Sequence, residues 1–100
     1  METALSHHYT REKFWQAIHM LATGSGSIQE RLAFAADPLT RLHEPDDLPE
    51  EYRQEFDAVC RELRKDGGDI VETTRKLTDE ECRRVAERIV SLYTGLRGGI

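Results

Sequence analysis

The stretch Leu77-Thr78-Asp79-Glu80-Glu81-Cys82 constrains this chain more than any other, because it reads as the opening turn of a helix on several counts at once. Thr78 at the N-cap and Glu81 three residues on make a reciprocal capping box, in which each side chain satisfies an orphan backbone amide of the other. Leu77 and Cys82 stand where a hydrophobic staple packs across that first turn. Behind it, Cys82, Ala86, Ile89, Tyr93 and Leu96 recur at alternating spacings of 4 and 3, and Val85, Val90 and Leu92 widen the stripe. A helix over residues 78–96 with so broad an apolar face has to be covered from more than one side.

The rest of the chain supplies the cover. Residues 1–8 show no periodicity and read as a flexible tail, leaving 9–100 as a single helical domain. Thr10 is the expected N-cap of a first helix over 11–23, with Tyr9 stapled onto Phe14 and an apolar face of Phe14, Trp15, Ala17, Ile18, Leu21 and Ala22. Gly24 is its natural stop. The link Gly24-Ser25-Gly26-Ser27 is short, and Ser27 with Glu30 forms a second capping box, so the next helix should fold back as an αα-hairpin. Ile28, Leu32, Ala35, Leu39 and Leu42 keep helical spacing through Asp37-Pro38. Proline inside a helix forfeits a hydrogen bond and clashes with the preceding turn, which predicts a break or kink near Ala36 and a short new helix led by Pro38. Phe34 lies off the stripe, marking either a second buried face or an exposed contact for a partner.

After a polar loop at 43–47, Asp47-Leu48-Pro49-Glu50-Glu51 is a helix start with an acid near the cap, proline in the first turn and two glutamates at the positive end of the dipole. This third helix is expected over 49–66, with Leu48, Tyr52, Phe56, Val59, Cys60 and Leu63 facing inward. Asp69 and Glu72 repeat the cap-and-glutamate pattern, so Ile70–Lys76 is expected as one or two helical turns, although the β-branched pair Thr73-Thr74 pulls toward extended structure. The predicted architecture is all-α: an irregular antiparallel bundle of four main helices plus one short helix. Its predicted core is Phe14, Ile18, Leu21, Ile28, Leu32, Tyr52, Phe56, Val59, Leu63, Val85, Ile89, Tyr93 and Leu96.

Charge narrows the function classes. Residues 1–43 hold four acids and four bases, residues 67–100 six of each, and residues 44–66 nine acids against four bases, so the whole net charge of -5 arises in the middle. That distribution disfavours binding to a phosphate backbone and favours meeting a basic surface. With 38% hydrophobic and 33% charged residues the chain is too apolar for a disordered polymer, and it has no apolar run long enough to span a bilayer. The first residues carry neither a basic nor an apolar leader segment, so the expected compartment is cytoplasmic, with no membrane association. Cys60 and Cys82 fall on apolar stripes, where a free cysteine acts as a small core hydrophobe.

The motifs that would carry chemistry do not assemble. Gly24-Ser25-Gly26-Ser27 lacks the preceding strand and the lysine of a phosphate loop. A helix-turn-helix reader would need basic or amide side chains along its second helix, and only Gln29, Glu30 and Arg31 are offered before the helix turns apolar. His7, His8, His19 and His43 have no partner at ligand spacing, and no cofactor or metal is expected. Glu50-Glu51 and Glu80-Glu81 are accounted for by helix dipoles and caps. The expected function is therefore a non-enzymatic protein-protein interaction module, an adaptor or small inhibitor, that meets a protein partner of basic character through Asp46, Asp47, Glu50, Glu51 and Phe34. The alternative is a homo-oligomeric structural bundle, a homodimer at its simplest; nucleic acid is the least favoured partner.

Overall fold

The computed structural model describes residues 4–43, 47–65 and 69–98. Five helices follow one another: α1 (Ala4–Thr23), α2 (Ile28–Leu39), α3 (Glu50–Leu63), the short α4 (Ile70–Lys76) and α5 (Asp79–Leu96). They pack as the expected irregular all-α bundle. Local chemistry sets several of the starts. The Ser27 hydroxyl accepts from the Glu30 amide at 3.1 Å while the Glu30 carboxylate accepts from the Ser27 amide at 2.9 Å. Thr78 and Glu81 make the same pair at 3.0 and 2.9 Å. Asp69 caps α4 by accepting from the amides of Val71 and Glu72, and the two β-branched residues of that helix, Thr73 and Thr74, are buried rather than extended. Packing has overridden their intrinsic preference.

The hairpin of α1 and α2 forms one side of the molecule, and α5 runs against α1, α2 and α3. Coverage of α5 from several sides is thus realised, with Cys82, Val85, Ile89, Leu92 and Leu96 all buried. The core also takes Phe14, Leu32, Phe56, Val59 and Leu63 as expected, and Phe14 meets Phe56 edge to face at 5.9 Å. Ile18, Leu21, Ile28, Tyr52 and Tyr93 pack around this centre half-buried. Cys82 is fully buried and Cys60 half-buried, and neither is in a disulfide. Burial pushes the Cys82 thiol pKa up, with Asp79 and Glu81 adding to the shift.

Three local expectations fail. First, α1 begins at Ala4 rather than Arg11, so part of the segment read as a tail is helical, and Thr10 is a buried residue inside the helix rather than its cap. Its hydroxyl donates instead to the carbonyl of Asp47, tying α1 to the approach of α3. Tyr9 stays exposed over the Lys13 ammonium instead of stapling to Phe14. Second, Pro38 starts no new helix: α2 runs unbroken through Asp37 and ends at Leu39, where Thr40 caps it by donating to the carbonyls of Ala36 and Asp37. Proline so close to a C-terminus forfeits one bond and leaves the preceding turns intact. Third, α3 closes at Leu63, with Arg64 as C-cap, before the expected 66. Its N-cap is Pro49 and makes no side-chain bond.

The outer faces of α1 and α5 also differ from the sequence reading. Trp15 is 49% exposed, stacked on His19 at 4.9 Å, and Val90 is exposed as well. One glycine is used for close approach: the Tyr52 hydroxyl donates to the Gly95 carbonyl at 3.0 Å, and a methyl group at Gly95 would lie 2.8 Å from the Tyr52 ring.

Candidate functional site

Phe34 is the most exposed large apolar side chain among the described residues, at 66% of its surface. It projects from the outer side of α2, whose inner side is fixed by Leu32, Ala35, Ala36 and Leu39 in the core. Of the two readings left open for Phe34, the second buried face is excluded, since the side chain is exposed. Val71 of α4, 52% exposed, lines the same open groove, together with Ala33 and Thr74. Ser27, Gln29, Glu30 and Arg75 complete its rim. The sequence reading did not single out Val71, because a seven-residue helix is too short for an apolar stripe to declare which side is outward.

The walls of this groove are held by built contacts. The Gln29 side-chain amide donates to the Leu77 carbonyl and to the Asp79 carboxylate, both at 2.9 Å, clamping the start of α2 to the α4–α5 junction. Arg31 donates to the Leu21 carbonyl at 2.8 Å and to the Gly26 carbonyl at 3.3 Å, fixing the turn of the hairpin. Gln29, Glu30 and Arg31, the side chains a DNA-reading second helix would have to offer, are all engaged within the protein.

The acidic residues singled out from the sequence stand apart from Phe34. Glu50 and Glu51 are exposed in the first turn of α3, and none of the described acids of that segment lines the groove. Asp47 serves the fold: its carboxylate accepts from the His43 amide at 2.7 Å, and its own amide donates to the His43 carbonyl at 2.8 Å. Asp46 lies outside the described residues. At this end of α3, partial burial raises the Tyr52 phenol pKa, and the neighbouring Glu51 carboxylate adds to the shift.

Other surfaces offer less. His8, Arg11, Glu12, Trp15 and Tyr93 border a shallow depression between α1 and α5, with the Arg97 guanidinium over the Tyr93 ring. Arg83 pairs with Glu80 at 2.7 Å, and Arg88 reaches Glu55 of α3 at 3.5 Å, so part of the basic rim of α5 is taken up by ion pairs. Among the described residues no group of three or more His, Cys, Asp or Glu could hold a metal ion, and no helix is long and apolar enough to cross a membrane. Comparison with protein-family models, with curated proteins and with solved structures found no match to this chain.

Proposed function

We propose that this chain is a non-enzymatic protein-interaction module of the cytoplasm, and that the α2–α4 groove is its contact surface. The observation that carries the reading is the pairing of Phe34 and Val71, two large apolar side chains more than half exposed on one groove. Leaving them in water forgoes about 1.5–3 kcal/mol of transfer free energy per fully buried side chain, and contiguous exposed apolar surface of this kind marks association sites. Rigid walls favour binding too, since a groove already held by Gln29 and Arg31 requires little ordering when a partner arrives. Glu50 and Glu51, on a separate edge, would steer a basic partner and speed its approach more than strengthen its grip.

A photoreactive benzophenone amino acid at position 34 tests the reading in cells. A discrete cross-linked adduct, absent when the same group replaces solvent-facing Glu87, supports association through this groove. No adduct with any protein, including the chain itself, overturns it.

A further inference from the structure

Close-packed protein interiors leave few voids larger than a water molecule, yet a cavity of about 180 Å³ opens between the end of α2, the later half of α3 and the start of α4. It shares no lining residue with the α2–α4 groove. Ala36, Leu39, Leu42, Phe56 and Leu63 form its walls, none more than 7% exposed. The half-buried Cys60 and Ile70 lie nearer solvent, and the exposed Thr40 and Arg64 stand at the rim. Water suits such walls poorly. A water molecule held inside a protein takes about three hydrogen bonds, whereas the Thr40 hydroxyl already donates to the Asp37 carbonyl at 2.7 Å, and the amides of Thr40, Arg41 and Leu42 donate within the end of α2. Hydrocarbon suits them well, since an apolar cavity of ~150 Å³ takes a benzene ring.

One charge stands over the opening. Of the three bases at the end of α3, Arg61 pairs with Asp57 and Lys65 with Glu62, each at 3.1 Å, whereas Arg64 has no acid partner among the described residues. The ends of α2 and α3 bring opposing partial charge to the same rim, about half a unit each. Their carbonyls are largely engaged, however, Ala36, Asp37 and Pro38 by the amides of Thr40 and Arg41, and Arg61 by the amide of Arg64. The full guanidinium charge outweighs them. We propose that the cavity binds a small monocarboxylate, with an apolar body of about six to eight carbon atoms among Leu39, Leu42, Phe56 and Leu63 and its carboxylate on the Arg64 guanidinium. A guanidinium meets a carboxylate with two parallel hydrogen bonds, and the hydrocarbon fills what the core side chains leave open. This site goes beyond the groove and does not depend on it.

Octanoate, titrated from about 0.1 to 5 mM into protein with labelled methyl groups, tests the site by nuclear magnetic resonance. The methyls of Leu39, Leu42, Leu63 and Ile70 should shift saturably, while those of Val71, in the groove, stay in place. Octylammonium has the same tail and the opposite head, and should bind at least ~10-fold more weakly than octanoate. Arg64→Gln should weaken octanoate at least ~3-fold without weakening octylammonium, at an unchanged circular dichroism spectrum. Ala36→Leu fills the cavity and should abolish the shifts; if that variant does not fold, the comparison of the two head groups and Arg64→Gln decide. No saturable shift, shifts centred on Val71, equal binding of the two heads, or an Arg64→Gln chain that holds octanoate as well as wild type overturns the inference. None of these outcomes bears on the cross-linking at position 34, so the two readings fail separately.

Discussion

Gly95→Ala puts the packing of α3 on α5 to a test in which the ordinary expectation and the structural one have opposite signs. In a helix interior, alanine is normally more stable than glycine by ~0.5–1 kcal/mol. At Gly95 the added methyl would sit 2.8 Å from Tyr52 Cε1 and 2.9 Å from its hydroxyl oxygen, closer than real contacts allow, and 3.0 Å from Cζ, a tight contact. An aromatic ring cannot yield one atom at a time, so the whole Tyr52 side chain must swing away. That sacrifices its 3.0 Å bond to the Gly95 carbonyl, worth about 0.5–1.5 kcal/mol, and incurs ~1–3 kcal/mol of overpacking or lost packing. Set against the propensity gain, the net is a loss of ~1–3 kcal/mol. Urea unfolding followed at 222 nm should show a lower midpoint with an unchanged slope. In a Tyr52→Ala background the obstacle is gone, and the same substitution should raise stability by ~0.5–1 kcal/mol. Stabilisation by Gly95→Ala in the wild-type chain, or an equal loss in both backgrounds, would refute the close approach of these two helices.

Removing either cap hydroxyl, by Ser27→Ala or Thr78→Ala, should cost ~1 kcal/mol in chemical denaturation, and the two losses should add because the caps belong to different helices. Glu81 has its carboxyl pKa lowered, chiefly by the Thr78 amide and further by Lys65, while partial burial opposes the shift. A lowered folded-state pKa adds stability that is present above the unfolded carboxylate value and fades as pH falls through the folded one. The melting temperature of Glu81→Gln should therefore fall less than that of wild type between about pH 5 and pH 3; parallel curves would remove Glu81 from the acid response. Tyr52 runs the other way: its raised pKa adds stability below the unfolded phenol value that is lost as pH rises through the folded one, so Tyr52→Phe should flatten the alkaline limb of the melting curve above about pH 10. An alkaline limb as steep as that of wild type would show that the Tyr52 phenol does not contribute.

What could be read in advance divides by the distance over which the deciding interaction acts. The caps at Ser27, Asp69 and Thr78 are contacts within three residues, and all three were legible from residue type and spacing alone. The stripe of α5 was legible because eighteen residues give a helical period time to declare itself. Thr10 looked like a cap for the same local reasons, but its hydroxyl finds the Asp47 carbonyl 37 residues away, a partner no local pattern encodes. Gly95 carried no message until the Tyr52 ring was placed against it. At the groove, Phe34 stood out as the residue that broke its stripe, whereas Val71 could be assigned a side only after α4 had been set against α2. Asp47, chosen from the sequence for its charge, proved to be spent on the backbone of the loop before α3.

The Gln29 clamp also orders events in time. Its acceptors lie 48 and 50 residues further along, whereas the α1–α2 hairpin closes over a four-residue link. A chain growing from the ribosome can therefore pair its first two helices early, yet cannot close this clamp until Asp79 has left the exit tunnel. The finished groove is withheld from the unfinished polypeptide, and Phe34 spends its first seconds of existence, at about 5–20 residues per second, without Val71 across from it.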